Sequence, residues 1–340
     1  MLRHIRYFAF FAAFCLSAQA QPEPAPAGVV TGVGGFSHIV ANVEKSIGFY
    51  RDVLGLELTA PPRAFASTPW IMKMGNTPGA QSRPAILRIP GAALRIELID
   101  YKDIDRKAAH PRFQDPGAAN LILTVRDIDP IMAKVKATGA HVVTKGGEPS
   151  VLPGPGKARV VFLQDPDGFL VELSERHPTP KTTAPASSNV IGGAFEIVVS
   201  DLDSALRLYR VVLGFQPQPF TQFNGNKLMM ETAGTPGAQF RRTAAQIPGT
   251  FVMMAFMEFK DIDRKPLHTR VQDPGTPILQ VRVADVDAVT KAWKAAGGEV
   301  ISEGGEPVEG PNGTRFCIVR DPNNLFLELF QMPPRPQSAN

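Results

Sequence analysis

A long internal repeat constrains this chain more than any other feature. Residues 36–177 are written a second time as residues 195–332, and in the most similar stretch the offset is 158. In that stretch, 101–117 against 259–275, twelve of seventeen positions are identical. The repeat indicates a tandem domain duplication, because the units of solenoid proteins are only about 20–50 residues long. Each copy is large enough to bury its own hydrophobic core.

The N-terminus is typical of a secretory signal. Arg3, His4 and Arg6 precede an apolar run at 7–16, and small residues follow at 17–20, which predicts cleavage after Ala20. The apolar run is too short to remain as a membrane-spanning helix. We therefore expect an exported protein, periplasmic or extracellular, that has no membrane association after cleavage. Cys317 is then the one cysteine left, and its apolar surroundings predict a buried strand residue.

Composition separates the copies from the segments around them. Stretches rich in proline and small residues predict linkers at 21–33 and 178–190 and a disordered tail at 333–340, which leaves domains at 34–177 and 191–332. The net charge of +4 is spread along the chain. No stripe of lysine and arginine interleaved with aromatic residues is present, so we expect no nucleic-acid partner.

Hydrophobic spacing divides each copy into two β-α-β-β-β units. Apolar residues at helical spacing over 43–54 end at Gly55, and the second copy repeats this helix as Leu202–Leu213. Short apolar runs are interpreted as strands, at 70–74, 141–144, 227–230 and 251–257 among others. The chain therefore contains four such units, two in each copy.

Two motifs in each copy resemble a known family. Residues 43–55 and 164–173 of the first copy return as 201–214 and 320–329 of the second. With the unit order, they resemble the vicinal oxygen chelate superfamily, which includes glyoxalase I, bleomycin-resistance proteins and extradiol dioxygenases. The resemblance implies an α+β fold in which the four βαβββ units pair into two glyoxalase-like cups. Units in this family pair within one chain or between chains, so a homodimer stays open.

The resemblance also implies a metal site on the first and last strands of the paired units. In the first copy, Glu97 and Glu172 match the carboxylate ligands, and strand alternation points Glu97 into the cup. Asn120 stands where a histidine is usual. His38 is three residues from the expected position on the first strand, so it joins the site only if a bulge at Gly34–Gly35 changes the alternation. Its alternative is a structural histidine.

The second copy lacks most of these groups. Ala194, Ala255 and Ile278 replace the first three ligand positions, and only Glu328, the counterpart of Glu172, is kept. Glu196 lies nearby but does not complete a set. We therefore expect a divalent metal, Zn, Mn, Fe or Ni, in the first copy and none in the second.

Both copies keep polar residues in the connection between their units. The pairs at 110/268, 112/270 and 114/272 are identical, as are several neighbours. These residues serve either packing or contact with a small organic ligand. On the second interpretation the substrate-binding set is His110, Arg112, Gln114, His268 and Arg270.

Two functions from different classes follow. In the first, the cup of the first copy binds a small oxygenated organic molecule for metal-assisted lyase, isomerase or dioxygenase chemistry, with Glu172 and Glu97 as the catalytic carboxylates. In the second, the chain is a metal-free protein that binds or sequesters a small molecule, as bleomycin-resistance proteins do. The fold does not choose between them.

Overall fold

The computed structural model describes residues 29–152, 157–218 and 222–334. Within them the chain forms four consecutive units, and the predicted α+β class with paired cups is confirmed. The predicted signal at 1–20, the first linker as far as residue 28, and the tail from residue 335 lie outside the described residues. The domain boundaries stay predictions. No helix in the described part of the chain is long and apolar enough to cross a membrane.

The first copy contains the first two units. The first unit consists of β1 (Val30–Val40), α1 (Val43–Ile47) with its π-helical continuation (Gly48–Val53), β2 (Glu57–Ala60), α2 (Pro69–Gly75), β3 (Gln81–Arg88) and β4 (Arg95–Lys102). The second unit consists of β5 (Ala119–Val125), α3 (Asp129–Thr138), β6 (Ser150–Val151), β7 (Arg159–Gln164) and β8 (Leu170–Glu175).

The second copy contains the other two. The third unit consists of β9 (Val190–Val198), α4 (Leu202–Leu213), α5 (Lys227–Thr232), β10 (Gln239–Gln246) and β11 (Met253–Lys260). The fourth unit consists of β12 (Pro277–Val283), α6 (Val286–Ala295), β13 (Glu299–Val300), β14 (Val308–Glu309), β15 (Arg315–Arg320) and β16 (Phe326–Gln331).

Capping residues set the ends of the predicted helices. The Asp201 side chain accepts a hydrogen bond of 2.7 Å from the Ser204 amide and begins α4. Gly214 ends the helix with a φ of 72°, a conformation that glycine adopts without strain. The predicted bounds of this helix are therefore confirmed.

Three predicted strands are wrong. Residues 70–74 belong to α2, which has Pro69 in its first turn, and residues 227–230 belong to α5. The Asn226 side chain caps α5 by accepting a 3.0 Å hydrogen bond from the Met229 amide. Short apolar runs fit a strand or a buried helix equally well, so the caps decide. Residues 141–144 make only an isolated bridge from Val142 to Leu163.

The strands form two sheets, and each sheet takes one unit from each copy. One sheet has the order β13-β15-β16-β12-β1-β4-β3-β2, with β14 against β15, and joins the first unit to the fourth. The other has the order β10-β11-β9-β5-β8-β7-β6 and joins the second unit to the third. We call the concave sides of these sheets the outer cup, made by the first and fourth units, and the inner cup, made by the second and third.

This strand order corrects the expected pairing of two units within each copy. Antiparallel contacts between β1 and β12, and between β5 and β9, close the sheets across the duplication. Phe36 of the first unit packs on Phe169 and Phe195, with ring centroids 5.8 and 5.1 Å apart, and joins the two sheets in one core. Such apolar contacts are non-directional, and similar units offer similar faces, so either pairing satisfies the sequence pattern.

Candidate functional site

The outer cup brings together four polar residues from the first and last strands of its two units. Ser37 on β1 lies beside Glu97 on β4, and Gln280 on β12 lies beside Glu328 on β16. The Gln280 amide nitrogen donates to Ser37 Oγ at 3.0 Å and to Glu97 Oε2 at 2.7 Å. Ser37 Oγ also donates to Glu97 Oε2, at 2.9 Å. Glu97 is therefore held in one orientation by two donors.

Glycines in β1 allow Gln280 to reach this position. The register of β1 against β12 shifts between Val33 and Gly35, so the bulge considered from the sequence is present. A Cβ at Gly34 would lie 2.9 Å from the Gln280 Oε1 atom, and Gly35 has a φ of +144°. The bulge makes room for Gln280 from the other copy instead of turning His38 into the cup.

The outer cup has the electrostatics of a cation site. Burial and the nearby Glu97 carboxylate raise the pKa of Glu328 to about 8, although Arg95 and Gln280 oppose the shift. Gln280 is 4% exposed, and its Oε1 atom has no hydrogen-bond partner in the described structure. Two carboxylates and an amide oxygen are ligands that hard divalent cations accept. These residues therefore fit a divalent metal.

A small cavity gives access to these groups. Its volume is about 220 Å³. The cavity walls are mainly apolar and aromatic, and they include Trp70, Met74, Tyr101, Ile278 and Phe316. Ligand pockets of proteins more often measure about 300–1,000 Å³. The volume therefore favours a small molecule, or one end of a larger one.

The inner cup has a related arrangement but contains its own cation. Asn120 on β5 is fully buried, and its amide nitrogen lies 3.4 Å from Glu196 Oε2 and 3.5 Å from Glu172 Oε2. The guanidinium of Arg242 on β10 donates through Nε to Glu196 Oε1. Burial and Glu196 raise the pKa of Glu172 to about 7, while Arg242 and Arg176 lower it. A guanidinium thus lies beside these carboxylates.

The predicted pair of metal carboxylates is divided between the cups. Glu97 lies in the outer cup with Glu328, and Glu172 lies in the inner cup with Glu196. Asn120 stays with Glu172, as expected, but away from Glu97. The prediction of one site holding Glu97, Glu172, Asn120 and His38 is therefore wrong, because the copies exchange units. The sequence placed Glu328 in a cup expected to be metal-free, but Glu328 lies in the same cup as Glu97.

His38 lies on the opposite face of β1 from Ser37, as regular strand alternation requires. Its Nε2 atom lies 2.7 Å from Asp165 Oδ2, and the Tyr50 hydroxyl donates to the same oxygen at 3.0 Å. All of these groups are buried. Burial lowers the pKa of His38, but Asp165 outweighs it and the net shift is upward. The cup-ligand prediction is corrected in favour of the structural alternative.

His38, Asp165 and Asp167 are also close enough together to hold a metal ion. Asp165 Oδ1 accepts from the amides of Asp167 and Phe169 at 2.9 and 2.8 Å, and Oδ2 accepts from His38 and Tyr50. The second copy keeps a tyrosine–aspartate contact, Tyr209 to Asp321 at 3.2 Å, where Ile197 replaces the histidine. The cluster therefore ties a turn to the first strand.

The repeated loop joins the copies to each other. Arg112 pairs with Asp115 of its own copy at 2.6 Å and with Asp263 of the other at 3.0 Å. Arg270 makes the equivalent contacts with Asp273 at 2.8 Å and Asp105 at 3.0 Å. Because the two loops hold each other symmetrically, their similarity has a structural cause.

The other predicted substrate-binding residues lie in the same loops. Gln114 donates to the Asp263 carbonyl at 3.4 Å, whereas His110 and His268 are exposed. In the described structure, these five residues line neither cup cavity. The contacts favour the packing alternative over ligand contact.

A surface depression of about 780 Å³ lies between the helices of the first copy. Lys134 in its wall donates to the Asp52 carbonyl at 2.9 Å, and the other acidic residue, Asp165, is fully hydrogen-bonded. The cups therefore remain the candidate sites.

Comparisons with known proteins agree with this architecture. Residues 32–173 and 193–329 match the sequence model of the Glyoxalase/Bleomycin resistance protein/Dioxygenase superfamily. An Arabidopsis thaliana protein named "Probable lactoylglutathione lyase, chloroplastic" is 24% identical over 298 residues, 84% of this chain and 68% of that protein. A 2-epi-5-epi-valiolone epimerase of an Actinomyces species is 28% identical over 140 residues, 40% of this chain and 75% of that protein.

A solved structure shows the same fold. Glyoxalase I from Zea mays aligns with a TM-score of 0.58 and 17% identity, covering 88% of this chain and 92% of that one. The similarity extends across both copies, so the arrangement of four units in one chain is shared.

Proposed function

Because the chain belongs to the Glyoxalase/Bleomycin resistance protein/Dioxygenase superfamily, we propose that its outer cup is the active site of a divalent-metal-dependent enzyme. The substrate is a small organic molecule with neighbouring oxygen atoms, and the reaction is of the lyase or isomerase type. The main support for this proposal is the buried Gln280 Oε1 atom. It has no hydrogen-bond partner in the described structure and lies in a site with two mutually repelling carboxylates.

The contacts of each residue indicate its role. Glu97, Gln280 and Glu328 would hold the metal, which when bound supplies Lewis-acid stabilisation of negative charge on substrate oxygen. Glu97 is fixed by Ser37 and Gln280 and so serves to bind. The relatives named as a lyase and an epimerase are consistent with such a site.

Glu328 is the proposed proton carrier. It interacts with Gln280 but lacks the hydrogen bond from Ser37 that also fixes Glu97, and its side chain lines the cavity. A positioned carboxylate that takes a proton from carbon and returns it to a neighbouring atom typically contributes about 10²–10⁴-fold to a rate. The apolar walls around it, including Trp70 and Phe316, keep water from competing for that proton.

Metal binding provides the test of this function. We expect the wild-type protein, freed of metal and titrated with Mn²⁺ in a calorimeter, to bind one ion per chain in the outer cup. Glu97→Gln with Glu328→Gln should weaken binding by more than about tenfold. Even the loss of a residue that only hydrogen-bonds to a metal ligand typically lowers metal affinity by about 10–100-fold. Glu172→Gln is the matched control in the inner cup and should keep the affinity. Loss of binding in that control, with retention in the double variant, would overturn the assignment.

A further inference from the structure

The inner cup contains hydrogen-bonding groups that the chain itself leaves unused. Arg242 donates only through Nε, to Glu196, and within the described chain its two NH₂ groups have no partner. Its side chain is 39% exposed and lines the inner cavity. Because Glu196 anchors one edge of the planar guanidinium, the other edge is presented in a fixed orientation. The cup therefore offers donors for an oxygen acceptor.

An unsatisfied acceptor lies in the same cup. Asn120 is fully buried, and its Oδ1 atom has no hydrogen-bond partner in the described structure. Asn120 is two residues from Ile122, which lines the cavity, so both lie on the concave face of β5. A buried carbonyl oxygen without a partner destabilises the folded protein. A ligand with a hydroxyl or amine donor would remove that cost.

Charge and shape restrict the ligand further. The cavity has two acidic residues, Glu172 and Glu196, and two basic ones, Arg176 and Arg242, so its formal charges cancel. A neutral ligand fits this balance better than an ion. The volume is about 170 Å³, and the walls include Phe113, Phe162, Phe259, Met229 and Met257. Such walls favour an apolar body of few atoms.

We propose that the inner cup is a second, metal-independent binding site for a neutral molecule with an apolar body and a carbonyl beside a hydroxyl. The carbonyl oxygen accepts from the free edge of Arg242, and the hydroxyl donates to Asn120 Oδ1. Arg242 supplies the positive charge that a metal would supply in the outer cup. This assignment goes beyond the proposed function and does not depend on it, since it requires no metal.

The test uses protein kept in a chelator and two probes, 2-hydroxyacetophenone and acetophenone, which lacks the hydroxyl. Calorimetry should show one site per chain for the first probe and binding at least about fivefold weaker for the second, the value of one hydrogen bond. Asn120→Ile, which copies the residue at 278, should remove this preference. Arg242→Met with Glu196→Gln, a pair that leaves no unpaired charge, should weaken binding by about tenfold or more.

A variant of the outer cup controls for location. Glu97→Gln with Glu328→Gln should leave binding of the first probe unchanged. Equal affinity for the two probes, no binding at millimolar concentration, or loss of binding in the outer-cup variant would each overturn the proposal. Because the assay is metal-free, failure here leaves the metal titration of the outer cup unaffected, and failure there leaves this site unaffected.

Discussion

Replacing Arg242 with methionine is expected to destabilise the protein by about 2–4 kcal/mol. Glu196 is 1% exposed, and Arg242 is its charged partner. Removing one member of a buried ion pair costs about 3–5 kcal/mol, and the 39% exposure of Arg242 reduces that value. In a protein of this size we expect the melting temperature to fall by about 4–8 °C in calorimetry.

A second substitution separates charge from packing. Glu196→Gln added to Arg242→Met removes the unpaired carboxylate, so it should restore more than half of the lost stability. Arg51→Met is the matched control, because Arg51 and its partner Asp52 are 49% and 57% exposed and such pairs contribute about 1 kcal/mol or less. If the single variant melts like wild type, or the double variant melts no higher than the single one, Arg242 does not neutralise the inner cup.

Replacing Glu328 with glutamine is expected to stabilise the metal-free protein at alkaline pH. The pKa of Glu328 is raised from 4.5 to about 8, so the folded state holds a proton that the unfolded state releases. Its contribution to stability is therefore largest below pH 4.5 and is lost as the pH rises to about 8. Glutamine imitates the protonated form at every pH. The gain at pH 9 should be on the order of 2 kcal/mol, discounted for partial exposure.

Bound metal should reverse this order, so that the wild-type protein becomes more stable than Glu328→Gln. Saturating Mn²⁺ should raise the melting temperature of the wild-type protein, since a ligand that binds only the folded state stabilises it, and should raise that of Glu328→Gln much less. Thermal scans of both proteins at pH 5 and pH 9, with and without metal, give the eight melting temperatures. Equal stability of wild type and variant at pH 9 without metal would contradict the raised pKa of Glu328, which burial and the nearby Glu97 cause.

The local structure could be predicted from the sequence where a cap or an alternating pattern determines it. Leu202–Leu213 has an aspartate cap and a terminal glycine, and its bounds were predicted correctly. Residues 70–74 have no such pattern, because a short run of four apolar residues and one lysine fits either a helix or a strand. The inward orientation of Glu97 followed from strand alternation, and the same rule places His38 outside the cup.

The composition of the site depends on which units pair, and local patterns do not determine that. At the offset of 158, the counterpart of Asn120 is Ile278, which offers no ligand atom. Gln280 is two residues further along the same face of the strand, so alternation offered a signal for it. The contact of Gln280 with Glu97, however, requires β1 to pair with β12 from the other copy. The two residues are 183 positions apart in the sequence. Arg242 was missed because it lies on β10, which is neither the first nor the last strand of its unit.

The outer cup, built from the first and fourth units, is the proposed metal site. Anomalous scattering from crystals grown with Mn²⁺ tests it most directly, because the signal locates the ion without assumptions about the ligands. We predict one peak per chain, bonded to Glu97, Gln280 and Glu328. A peak between Glu172 and Glu196, a peak at His38 and Asp165, or no peak at saturating Mn²⁺ would contradict the account.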